Sequence, residues 1–131
     1  GYDEEKVINA QSYPESGKKA MDNILKSSRR PTAIFAGNDQ VAIGVITSIL
    51  NAGLRVPEDI SVVGYSDIPI AKSIYPSLTT VGQFPHKTGQ LAVDLAIKLI
   101  NKEEVIQKKI VLKPDFIVRE STSFATNKIV E

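Results

Sequence analysis

Three short stretches of this 131-residue chain place hydrogen-bonding side chains directly behind apolar runs: Gln11-Ser12-Tyr13, Gly37-Asn38-Asp39 and Ser66-Asp67. An aromatic ring beside hydroxyl, amide and carboxylate groups suits a neutral polyhydroxylated or heterocyclic small molecule. The ring covers an apolar face of such a guest, while amides and carboxylates take up its hydroxyl or ring N–H groups. The same residues have a structural use, because Ser12, Asn38 and Asp39 are all good helix caps and capping alone accounts for their types.

Catalytic chemistries lack essential parts. Gly64-Tyr65-Ser66 resembles the start of a nucleophile elbow, but Ile68 stands where the closing glycine belongs and His86 is the sole imidazole. Lys113-Pro114 invites comparison with a phospho-accepting receiver domain, yet the first strand candidate ends in Asn9-Ala10 rather than a magnesium-binding acidic pair. Neither a Gly-x-Gly-x-x-Gly fingerprint nor a phosphate loop is present. Asp39 and Asp67 as a metal pair would need further oxygen ligands that the neighbouring sequence does not supply. With no cysteine, thiolate metal sites, disulfides and sulfur redox chemistry are excluded. A non-enzymatic binding role without metal or cofactor is the expectation.

Composition agrees with a globular domain: 42% of residues are apolar, 24% are charged, and 16 Lys plus Arg face 15 Asp plus Glu. A formal charge of +1 leaves no electropositive footprint for phosphate backbones, so this stretch is not expected to grip DNA by itself. The doublets Lys18-Lys19, Arg29-Arg30 and Lys108-Lys109 read as solvated surface. The apolar run 41–50 is about half a membrane span, and residues 1–6 are acidic without an apolar stretch behind them. Neither membrane insertion nor secretion is expected from these residues.

The elements that must position the polar groups alternate as β-α-β-α-β. A strand is expected at 6–10, then a helix announced by Ser12, Pro14 and Glu15 that buries Gly17, Met21, Ile24 and Leu25. Residues 32–36 form a continuous apolar run expected to be a parallel strand covered on both faces. Gly37-Asn38-Asp39 ends it, and a helix over 40–52 follows, closed by Gly53 in the left-handed region with Leu54 behind it. That helix has almost no polar side and should be buried. Residues 60–65 read as a third buried strand, followed by a short helix near 71–74 and a small strand at 78–81. The helix near 87–101 carries only a narrow polar stripe, Gln90, Asp94 and Lys98, and is expected to be covered on several sides. Extended chain with a bend at Pro114 closes the pattern. In such a sheet, ligands sit beyond the carboxyl ends of the strands, which is where the polar groups gather.

The segments 31–44, 53–65 and 76–81, with Gly37-Asn38-Asp39-Gln40, Leu54-Arg55-Val56-Pro57-Glu58-Asp59-Ile60-Ser61 and Pro76-Ser77-Leu78-Thr79-Thr80 inside them, resemble in order and spacing the C-terminal effector-binding region of LacI/GalR-family transcriptional regulators. The likeness runs from about Tyr13 to Ser121. It implies an α/β fold: the parallel-sheet lobe of a periplasmic binding protein type I-like architecture, incomplete in this chain. Residues 2–81 and 110–131 would belong to the second lobe and 84–105 to a helix of the first. The rest of the first lobe, the second lobe's opening strand and helix, and the DNA-binding headpiece are expected outside this chain.

By the same resemblance, Asn38 takes the position that hydrogen-bonds effectors, and Gln83 lies on a crossover near the cleft. Ser66 stands where many relatives carry an effector-binding aspartate, with the carboxylate displaced to Asp67. Ser12 stands where an aromatic ring covers the ligand, with Tyr13 beside it as substitute, and Asp39 completes the expected effector-binding set. The implied partners are a small-molecule effector, a second copy in a homodimer, and operator DNA through the headpiece, in a cytoplasmic protein with no membrane contact. Two alternatives share the fold: a secreted sugar-binding protein of a transporter, and a regulator that senses a protein corepressor.

Overall fold

A computed structural model of the chain describes residues 7–106 and 109–124. Helix α1 (Pro14–Ile24) and helix α2 (Asp39–Asn51) pack against each other, with strands β1 (Ala33–Phe35) and β2 (Ser61–Val63) beside them. The two strands run parallel with Phe35 opposite Val63. After a 3-10 turn, Pro69–Lys72, strand β3 (Thr80–Gly82) pairs antiparallel with β4 (Asp115–Ile117) across helix α3 (Pro85–Ile100) in sequence. Single bridges from Val63 to Thr79 and from Ser66 to Gly82 join β2's continuation to β3, so the polar ends of β2 lie against the crossover chain.

The core is the α1–α2–β2 layer. Met21, Ala42, Ile49, Val62, Ala71 and Leu78 are fully buried in it. Two glycines set the helix crossing: a Cβ on Gly17 would stand 2.2 Å from the Val41 carbonyl oxygen, and one on Gly44 only 1.8 Å from that of Pro14. Backbone therefore touches backbone, and Ser48 on α2 donates to the Asp22 carboxylate on α1 beside the same crossing. That hydroxyl holds the Asp22 carboxyl below the ordinary carboxylate range, ahead of the charge of Lys18. Helix α2 starts and stops as expected. Asn38 caps it through Val41 N–H at 2.8 Å, and Gly53 adopts φ 74° while Leu54 folds back to the Ile49 carbonyl.

Several expectations are corrected. Residues 7–10 form no strand, and residue 6 lies outside the described residues. The physical reason is separation from the sheet: Ile8, Asn9 and Ala10 stand across a cavity of about 880 Å³ from the free edge of β1 and make no backbone pairing with it. For the same reason β1 is not covered on both faces, and Phe35 is 66% exposed. The first helix is capped by Tyr13, without a side-chain bond, rather than by Ser12; Ser16 Oγ instead accepts from Gln11 N–H at 2.8 Å. Helix α2 is not buried all round: Gln40, Thr47, Leu50 and Asn51 are exposed along one side. Helix α3 fully buries no residue: Leu91 and Leu95 are partly covered where the helix faces Tyr65, Leu112 and Pro114, and Val93, Ile97, Leu99 and Ile100 stay exposed. Lys108 of the last basic doublet lies outside the described residues.

Candidate effector-binding rim

The rim is built where β1 and β2 stop together. Beyond the last paired residues the two chains stay joined, Ala36 N–H donating to Val63 O at 2.8 Å and Asp39 N–H to Tyr65 O at 3.0 Å. Asn38 and Ser66 therefore stand on adjacent loops at one end of the sheet. The capping bond of Asn38 uses Oδ1, which leaves the two donors on Nδ2 for a guest. Capping and ligand contact are thus compatible in one side chain.

Ser66 and Asp67 occupy unusual backbone conformations, φ 121° and φ 54°. Non-glycine residues in such regions cost about 1–3 kcal/mol each and persist where surrounding bonds over-determine them. Here Ser66 N–H donates to Val81 O at 2.8 Å. Arg119 donates from Nη2 to Asp67 Oδ1 at 2.6 Å and from Nη1 to the Leu78 carbonyl at 2.7 Å. The Asp67 carboxylate is thus committed to a partly buried ion pair with the returning chain, and what it offers a ligand is reduced to its second oxygen.

Asp39 is fully buried. Its Oδ2 accepts from Ile68 N–H at 2.8 Å and its Oδ1 from the Thr80 hydroxyl at 2.6 Å. The expectation that Asp39 meets the effector is therefore corrected: both oxygens face inward, taken up by Ile68 N–H and the Thr80 hydroxyl, and present nothing to a guest. Tyr13 is half-exposed, and its hydroxyl is tied to the Gln11 side chain. Asn38 and Ser12 line the 880 Å³ cavity beside β1. Gln83 and Tyr65 line a second cavity of about 480 Å³ against α3 and Pro114. Of the expected effector residues, Asn38 thus lines one recess and Gln83 the other.

Sequence reasoning missed Arg119, Ser121, Thr80 and Gly64. Ser121 is fully buried; its Oγ donates to Val62 O at 2.6 Å and accepts from Thr79 N–H at 2.8 Å, stitching the returning chain to β2. Glu120 accepts from both Ser77 N–H and Ser77 Oγ at 2.9 Å, the backbone bond first, and these hold its carboxyl below the ordinary value. The alternation Arg119-Glu120-Ser121 behind an apolar strand was the available signal.

A family model described as a periplasmic binding protein-like domain matches residues 1–122. The chain belongs to that family. It is 44% identical over 119 residues to the HTH-type transcriptional repressor PurR of Photorhabdus laumondii, an alignment that takes in 90% of this chain and 35% of the repressor. Among solved structures it is similar to a lac repressor dimer bound to operator and the anti-inducer ONPF, with TM-score 0.80 and 33% identity over 86% of this chain and 39% of that one. It is also similar to a LacI family transcriptional regulator from Enterococcus faecalis with bound ribose, with TM-score 0.82 and 30% identity over 91% of this chain and 44% of that one. The chain thus spans about a third of the length of the curated relatives it matches. These likenesses bear out the resemblance to the effector-binding region of LacI-family regulators and the α/β periplasmic-binding-protein-like fold. Among the described residues no helix is long and apolar enough to cross a membrane.

Proposed function

We propose that this chain is the effector-sensing part of a cytoplasmic, LacI-like transcriptional regulator that binds a sugar or related small metabolite in a cleft between two lobes and catalyses no reaction. The observation that supports this reading is the Asp39 N–H to Tyr65 O bond at 3.0 Å, which joins the two loops that carry Asn38 and Ser66. On this reading 2–81 and 110–131 are second-lobe segments and 84–105 is a first-lobe helix. The open edge of β1 and the bare faces of α3 are then surfaces for the remainder of the two lobes, and operator contact belongs to a headpiece outside these 131 residues. Effector binding regulates a homodimer only if it favours one lobe arrangement over the other, so the coupling must begin at the rim.

A thermal-shift screen of the full-length protein against ribose, other sugars, purine bases and a phosphorylated sugar-transport carrier protein tests this. Stabilisation by a sugar or base supports the small-molecule reading, whereas stabilisation by the carrier protein alone identifies a corepressor sensor. The upstream reading frame separates the secreted alternative: a helix-turn-helix supports the regulator and a signal peptide the transporter component.

A further inference from the structure

Four successive rim residues are each held from a different direction. Tyr65 O accepts from Asp39 N–H, Ser66 N–H reaches Val81 O, Asp67 pairs with Arg119, and Ile68 N–H reaches Asp39 Oδ2. Asp39 alone grips this bend at both ends, with its backbone at residue 65 and its carboxylate at residue 68. Its other oxygen takes the Thr80 hydroxyl of β3. Among the described residues it is the only charged side chain that is fully buried.

A buried carboxylate is costly unless its oxygens are matched by donors. Here an N–H, a hydroxyl and the first turn of α2 meet it, the last being the helix end that favours negative charge. Space is kept for it as well, since a Cβ on Gly64 would stand 2.2 Å from Asp39 Oδ1. Filling the core would require none of this. What the carboxylate does is join the Ser66–Asp67 bend to β3.

We infer that Asp39 is a positioning residue of the effector rim: acting through Ile68 and Thr80, its carboxylate fixes the Ser66–Asp67 bend against β3 and so sets where the Ser66 hydroxyl stands relative to the Asn38 amide. The functional meaning rests on the rim reading given above, but the positioning itself is measurable without any effector. Backbone amide exchange, followed by NMR on the full chain, compares wild type with Asp39→Ala, Asp39→Asn and Thr80→Val. In Asp39→Ala the Ser66 and Ile68 amides should exchange at least ~10-fold faster relative to the core amides of Ile49 and Val62. Asp39→Asn should restore most of that protection, because its carbonyl accepts from Ile68 N–H and its NH₂ donates to the Thr80 oxygen.

Thr80→Val keeps the side-chain volume and removes one bond, so it should accelerate the same loop amides by a smaller factor, and it decides the matter if Asp39→Ala does not fold. Loop and core amides accelerating by one common factor in these variants would overturn the inference, as would unchanged loop protection. A regulator that ignores every metabolite while showing the local effect would retain the positioning role and lose the effector reading.

Discussion

Replacing Gly44 by alanine sets two effects of known size against each other. In an ordinary helix interior the change stabilises by about 1 kcal/mol, through backbone entropy. At this position the new methyl would stand 1.8 Å from the Pro14 carbonyl oxygen, so α1 and α2 must separate by roughly 1.5 Å to restore van der Waals contact. A gap of that size forfeits more than half of the dispersion energy of the contacts it opens. Those contacts involve Met21, Val41, Val45 and Ile49, all buried, and the Ser48–Asp22 bond beside them. Overpacking of this kind costs about 3 kcal/mol, which leaves a net loss of about 2 kcal/mol after the propensity gain. Equilibrium urea unfolding should register it as a midpoint lowered by roughly 1 M. Gly37→Ala is the control: nothing lies within 4 Å of its Cβ direction, and the midpoint should hold or rise slightly. A Gly44→Ala midpoint equal to that of the control would refute the backbone-on-backbone crossing.

Removing the Arg119 side chain deletes its bonds to Asp67 and to the Leu78 carbonyl, so Arg119→Ala should lower unfolding stability by about 2–3 kcal/mol in the same assay, with Arg119→Lys recovering part of it. The Glu120 carboxyl is held low by Ser77; its stabilisation is therefore present above the ordinary value of 4.5 and is lost as pH falls through the lower folded value. Glu120→Gln should flatten that acid limb in midpoint-versus-pH curves, and identical curves would remove the linkage. Helix α3 leaves Val93, Ile97, Leu99 and Ile100 exposed, so the isolated chain should self-associate. Light scattering should show mass rising with concentration, and Ile97→Lys with Ile100→Lys should suppress it; a wild-type monomer at all concentrations contradicts the prediction.

Local signals carried the elements that depend on neighbouring residues. Asn38, Gly53 and Leu54 fixed both ends of α2 because capping is chemistry within a few positions of the chain. Residues 7–10 form no strand because pairing needs another strand within hydrogen-bond reach, and no local pattern reports whether the chain comes that close. The rim divided in the same way. Asn38 was legible as both a cap and a donor, whereas Asp67 and Asp39 read as ligand groups although Arg119, Thr80 and Ile68 claim them across 29 to 52 positions. The inward turn of the Asp39 carboxylate had no local signal, because its partners Ile68 and Thr80 lie 29 and 41 positions away.

The most direct test is isothermal titration of the full-length regulator with the metabolite that stabilises it, in wild type, Asn38→Asp and Ser66→Ala. Asn38→Asp keeps the oxygen that caps α2 and removes both Nδ2 donors, so the lobe stays folded while the guest loses its amide contact. Each variant should bind at least ~10-fold more weakly, about 1.4 kcal/mol. Wild-type affinity in both would show that the guest is held somewhere other than this rim.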